Sequence, residues 1–296
     1  MLEAIVKPKR VEKRPWIMLI IGFIYASLSL ILVKIFFARD TILSEYAGMI
    51  VVTFCVMFSL PFMYSIIKRE EIEDEEEPDE SLMSVIRIHK DAIYAFMWLF
   101  LGFIIAFSLF NIVLNDSNLF NAQIETYCII NSGGNIEDCV FENSLKNDLQ
   151  TGASVHGVAR FLSILENNIY VMMFTLLFSL IFGAGAIFIL AWNASVIAAA
   201  IGIFSRYEIQ GIPCGILRYM IHGGPEIAAY FITALAGGIF GTGAIRNGFN
   251  NKKFYRVVQS TIILLFISIV LLILSGLMEV YFTPKIMNIL TKLKIC

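Results

Sequence analysis

Apolar runs separated by short polar stretches dominate the chain. Four of them approach or exceed the roughly 20 residues that carry a helix across a hydrocarbon core of about 30 Å. They are PWIMLIIGFIYASLSLILVKIFF (15 to 37), AGMIVVTFCVMFSLPFMYSII (47 to 67), AIYAFMWLFLGFIIAFSLFNIVL (92 to 114) and STIILLFISIVLLILSGLMEVYF (260 to 282). From Asn168 to Phe204 the chain stays apolar for longer than one crossing needs, with FGAGAIF and AWNAS as interruptions, and PEIAAYFITALAGGIFGTGAI (225 to 245) follows. The pattern predicts an all-α polytopic membrane protein of about seven transmembrane helices. One of these is short or broken, from about Asn193 to Tyr207, and amphipathic helices lie at the interface.

The polar stretches divide the chain into a basic tail (1–14), a two-helix membrane hairpin (15–67), an acidic linker (68–91), a membrane core (92–283) with a long loop at 115–167, and an amphipathic tail (284–296). In the linker, KREEIEDEEEPDES repels itself at this charge density and reads as a solvated segment. Val155, Val158, Leu162 and Leu165 recur at helical spacing, as do Ile286, Ile289, Leu290 and Leu293, so each stretch reads as a short helix lying on the membrane surface.

Composition agrees with the pattern: 58% of the 296 residues are hydrophobic and 16% are charged. A net charge of -2 gives no reason to expect a nucleic-acid partner. Locally, basic residues before the first span, together with Lys68, Arg69, Arg87 and Lys90 after the second, orient the N-terminus to the cytoplasm. Beyond the third span the positive-inside count does not decide whether residues 193–207 cross. A crossing there puts the C-terminus outside. In the long loop, Cys128 and Cys139 flank a turn-rich stretch and are candidates for a disulfide if the loop is external; free thiols are the alternative.

The candidate chemistry lies in IHGGPEIAA. His222 and Glu226 are four apart, which on one helix would align them as an acid-base or metal pair. Pro225 argues otherwise, because proline is favoured in a first helical turn and disfavours helix in the residue before it. The expectation is a helix starting at Pro225 with Gly224 as its cap, His222 outside it and Glu226 in the first turn, near one interface. Arg218 and Arg206 are nearby cations that extend a polar cluster. Asn193, costly if unpaired in hydrocarbon, either bonds another helix or marks a turn. Gly237 and Gly241 have the spacing that lets helices approach closely. No spacing indicates a metal or cofactor, and no nucleophile has the strand-turn-helix context of a hydrolase.

Taken in order, FLSILENNIYVMMFTLLFSLIFGAGAIFILAWNASVIAAAIG (161 to 202) and HGGPEIAAYFITALAGG (222 to 238) resemble the stage II sporulation protein M family. The resemblance spans roughly residues 92 to 282 and is carried by Asn167, Asn168, Gly183, Gly185, Asn193, His222, Gly223 and Glu226. It implies a five-span core with the C-terminus outside and His222 and Glu226 facing outward. The family's best-known member organises cell-wall-degrading partners during engulfment in sporulating bacteria. The chain departs from it by two extra N-terminal spans, the acidic linker and proline before the glutamate.

The functional expectation is a non-catalytic scaffold or assembly partner. Its partners would be membrane lipids and a membrane or envelope protein, with a homo-oligomer open to it. The alternative is a transporter or lipid-handling protein using a helix break around Asn193 and His222–Glu226. An intramembrane hydrolase is a third reading, requiring His222 and Glu226 to meet a further ligand or nucleophile.

Overall fold

Each apolar run becomes a helix, because in hydrocarbon the backbone must satisfy its own hydrogen bonds. The computed structural model describes residues 14–37, 40–76, 81–114, 117–132, 157–182, 186–207, 212–248 and 251–293. Among them the helices are α1 (Ile17–Phe36), α2 (Ala47–Glu76), α3 (Leu82–Leu114), α4 (Asn121–Ser132), α5 (Gly157–Phe182), α6 (Ala186–Tyr207), α7 (Ile212–Asn247), α8 (Lys252–Leu277) and α9 (Thr283–Lys292). Six are long and apolar enough to cross a membrane, α8 counted with its continuation into α9, and α6 supplies a shorter apolar segment, Ile187–Ile203. The fold is an all-α polytopic membrane fold.

Glycines set the closest approaches. A Cβ on Gly22 of α1 would lie 2.5 Å from the Leu99 carbonyl oxygen of α3, and one on Gly102 of α3 would lie 2.3 Å from that of Leu19. Gly241 of α7 meets the Leu180 carbonyl of α5 in the same way, at 2.5 Å, while Gly237 packs on Ser179 and Leu176. The Gly237 and Gly241 spacing therefore joins α5 to α7, as expected. Between these contacts Phe96 and Phe100 of α3 pack on Phe231 of α7, at the centre of the main apolar core.

The run of α6 is fixed by its neighbours. Arg246, at the end of α7, is paired with Glu71, near the end of α2. Leu180 of α5 lies against Gly241, five residues before Arg246, so α5 also ends there. Only three residues separate α5 from α6, which therefore starts at this charged end. Its other half lies at the opposite end. Asn111 of α3 donates to the Ala198 carbonyl at 3.1 Å, and Tyr127 and Cys128 of α4 pack against Ala200 and Ile203. With its 22 residues rising about 1.5 Å each, α6 runs from one end of the bundle to the other.

Several expectations are corrected. α6 runs without interruption from Ala186 to Tyr207, so there is no break at Asn193. Asn193 is inside α6, with its amide donating to the Ile189 carbonyl of its own helix at 2.8 Å. Local back-bonding removes the cost that seemed to require a turn or another helix. Residues 157–165 are the first turns of the long helix α5 and not a separate surface helix. The acidic segment is helical as far as Glu76, and Glu70, Glu71 and Asp74 are buried, so it is not wholly a solvated linker. After α8, a π-helical turn at Met278–Phe282 leads into α9, on which Ile286 and Ile289 are exposed, with Leu293 exposed just beyond its end.

Candidate functional site

The motif around Glu226 begins with a proline in an unexpected place. Pro225 lies inside α7, which runs unbroken from Ile212 to Asn247. Helix interior is normally unfavourable for proline, because the amide that would bond the Ile221 carbonyl is missing and the ring crowds that turn. Here the neighbouring turn is supported from outside. The Ser275 hydroxyl of α8 donates to the His222 carbonyl at 2.8 Å. Packing of this kind is how proline is accommodated within membrane helices. The expected helix start at Pro225, with Gly224 as cap and Glu226 in a first turn, is thus replaced by a continuous helix. His222 and Glu226 consequently share one stretch of α7, one turn apart.

The side chains then find partners from three directions. Tyr230, one turn further along α7, donates its hydroxyl to Glu226 Oε1 at 3.0 Å. Asn168 of α5, 4% exposed, turns its buried amide toward Glu226. Asn167 Nδ2 donates to Asn168 Oδ1 at 3.3 Å, which ties the two asparagines together. His222 Nδ1 is 3.4 Å from the Thr283 hydroxyl, where α9 begins. Arg160 of α5 reaches Glu279 of the π-helical turn at 3.9 Å, and Glu279 is also a charged neighbour of Glu226. Beneath this polar layer Met172, Ala229, Tyr230 and Leu272 form their own apolar cluster.

The site therefore joins α5, α7, α8 and the start of α9 at the end opposite Arg246. Twenty residues of helix, rising about 1.5 Å each, separate Glu226 from Arg246, which places Glu226 near an interface, as its position in the sequence suggested. Gly223 and Gly224 differ from the packing glycines: a Cβ on either would have nothing within 4 Å. Chemically the arrangement offers a carboxylate with a tyrosine donor and an adjacent amide, next to a half-buried stretch of helix with room for a side-chain atom at Gly223 and Gly224.

Of the residues singled out in the sequence, Asn168, His222 and Glu226 are brought together with Gly223 beside them, and Asn167 joins through Asn168. Asn193 does not take part, since it lies in α6 with a local partner. Gly183, Gly185 and Cys139 lie outside the described residues, as do the side chains of Arg206 and Arg218. Cys128 is disulfide-bonded, with its partner outside the described residues. Sequence reasoning missed Tyr230, Ser275, Thr283, Glu279 and Arg160. Tyr230 carried a signal, four residues after Glu226; the others come from distant segments.

A second polar group, at the charged end, went unrecognised as well. Glu70, Asp74 and His89 are buried together, with His89 Nδ1 2.9 Å from Glu70 Oε2 and Ser260 donating to Asp74 at 2.7 Å.

No curated protein and no solved structure matches the chain. A family model, Stage II sporulation protein M, matches residues 133–284, slightly more than half of the chain, including α5 to α8 and every residue that meets at Glu226. The chain belongs to the stage II sporulation protein M family of membrane proteins.

Proposed function

We propose that this protein is a non-catalytic membrane scaffold whose Glu226 end receives a partner membrane or envelope protein. The observation that carries this reading is the contrast between braced polar groups and bare glycines. Ser275, Thr283 and Tyr230 direct their hydroxyls to groups of α7, and Arg160 is paired with Glu279, so the local chemistry is used in holding helices together. Gly223 and Gly224, by contrast, each cost up to about 1 kcal/mol in a helix relative to alanine, and a Cβ on either would meet no described residue within 4 Å. A partner helix approaching closely at that surface gives them a use.

The same reading puts the Glu226 end outside the cytoplasm, with the N-terminus inside and the C-terminus outside. Two observations favour it. Lys68, Arg87, Lys90, Arg246, Lys252, Lys253 and Arg256 gather toward the opposite end, and the disulfide of Cys128 belongs to an oxidising compartment.

Photo-crosslinking tests the proposal. A photoreactive residue at Gly223, in the native membrane, is expected to give one discrete protein adduct. The same residue at Phe266, exposed on α8, is expected to give only lipid adducts. Identical lipid adducts at both positions would overturn the scaffold reading.

A second reading, a transporter or lipid-handling site, is favoured by one feature: the buried Asn168 amide and the Glu226 carboxylate lie side by side and together could bind a small polar group. The two readings separate with Glu226→Gln. Loss of substrate movement with the Gly223 adduct retained would support transport.

A further inference from the structure

The group at the charged end bears no relation to the partner surface and lies at the other end of the bundle. α2 and α3 hold 30 and 33 residues, longer than the roughly 20 that a bilayer core requires, so their polar ends project beyond it. There α2 buries three carboxylates, Glu70, Glu71 and Asp74, at 2%, 0% and 4% exposure. A buried carboxylate without a partner is strongly unfavourable, so each must be matched.

Glu71 is matched by Arg246 and by the Asn247 amide at 3.3 Å. Arg69 pairs with Glu73 at 3.0 Å, further along α2. Glu70 and Asp74, one turn apart, both face His89 of α3. Its Nδ1 is 2.9 Å from Glu70 Oε2, and its Nε2 is 3.5 Å from Asp74 Oδ1. The ring is wholly buried, and Nε2 and Asp74 Oδ2 have no hydrogen-bond partner. Among the described residues, the other groups near the triad are Glu73 and Asp91, which act on Glu70, and Ser260 of α8, which donates to Asp74 at 2.7 Å, with Arg256 one helical turn earlier on α8.

Donor counting makes this arrangement incomplete without hydrogen. A neutral imidazole has one N–H and one lone pair, while both nitrogens here look toward carboxylate oxygens. A ring with one N–H therefore turns a lone pair on one carboxylate and leaves two negative charges in a dry site. An imidazolium supplies a donor to each and removes one of those charges.

We propose that Glu70, His89 and Asp74 form a proton-binding site that fastens the projecting end of α2 to α3 and α8. The bound proton resides on the His89 ring, which donates toward Glu70 and Asp74. On release it passes from a ring nitrogen to water at the charged end. The ring's lone pair then faces a carboxylate, and the end of α2 loosens from α3 and α8.

The test uses the full chain in lipid nanodiscs with histidine labelled at the ring nitrogens. Three histidines are present, and His89→Gln identifies the His89 signals by their loss. The expected result is a His89 ring with hydrogen on both nitrogens at about pH 7, somewhat above the value near 6.5 at which a free histidine titrates. Asp74→Asn is expected to change the Nε2 signal specifically. It should also at least halve the difference in melting temperature between about pH 6 and pH 9, the range in which a histidine changes charge. A His89 ring with a single N–H throughout that range would overturn the proposal, as would identical melting profiles in the wild type and Asp74→Asn. Should His89→Gln fail to fold, Glu70→Gln and Asp74→Asn identify the ring by its shifted Nδ1 and Nε2 signals, and the same outcomes decide. Photo-crosslinking at Gly223 is unaffected by either result.

Discussion

Glu226 shows how far a single residue can be read from its neighbours. Proline before it suggested a helix start, and the carboxylate then had a sufficient role at the positive end of the helix dipole. In the folded chain the helix continues through Pro225, supported by Ser275, and the carboxylate takes its hydrogen bond from Tyr230 instead. Tyr230→Phe should therefore destabilise the protein by about 1–3 kcal/mol, the cost of leaving a buried acceptor unsatisfied; denaturation in mild detergent measures it. A Tyr230→Phe protein as stable as the wild type would mean that Glu226 has another donor. Asp40 provides the opposite case, an exposed residue whose role is local. The Leu43 and Ile42 amides donate to it, both at 2.9 Å, and hold its carboxyl below the usual range. A depressed carboxylate contributes stability that is present above its unfolded value near 4 and is lost as pH falls through the folded value. Asp40→Ala is accordingly expected to lower the melting temperature slightly at neutral pH and to have less effect in acid, which a pH series of melting curves checks.

At the scale of elements, the spans of α1, α2, α3 and α8 were legible because a run of about 20 apolar residues has few alternatives to a membrane helix. The break between α5 and α6 was less so. FGAGAIF and AWNAS both interrupt the run, and only the folded chain shows that Asn193 lies inside α6 and bonds its own helix. Glycines within helices also look alike in sequence but differ in their surroundings, and this yields a paired prediction. Gly241→Ala puts a methyl group 2.5 Å from a backbone carbonyl and should cost about 1–3 kcal/mol. Gly223→Ala meets open space and should be neutral or stabilise by up to about 1 kcal/mol, since alanine is the better helix former. Melting temperatures of the two variants decide; a destabilised Gly223→Ala would mean that the chain itself closes on that surface.

For the whole molecule, the arrangement of crossings follows from which helix ends meet. Arg246 beside Glu71 and Asn111 beside Ala198 place α6 across the bundle, and α8 therefore finishes at the end where α5 begins. Single cysteines at Asn251 and Asn288, with Cys55, Cys214 and Cys296 replaced and Cys128 and Cys139 retained, test this with a membrane-impermeant reagent. Asn288 is expected to label from outside and Asn251 only after permeabilisation. Labelling of both from the same side would mean that α8 does not cross.

The sequence by itself determined that this chain lies in a membrane, roughly where its helices are, and that His222 and Glu226 stand four residues apart beside a proline. Those properties depend on hydrophobicity and local spacing, which are written along the chain. Tertiary structure decided that α7 continues through its proline and that α6 crosses the bundle. It also turned part of an acidic run into buried partners for a histidine and an arginine. His89 comes 19 residues after Glu70 and Arg246 comes 175 after Glu71, and a carboxylate has the same letter whether water or a cation faces it. The environment of a charge is set by which helices meet, so it becomes visible only when they do.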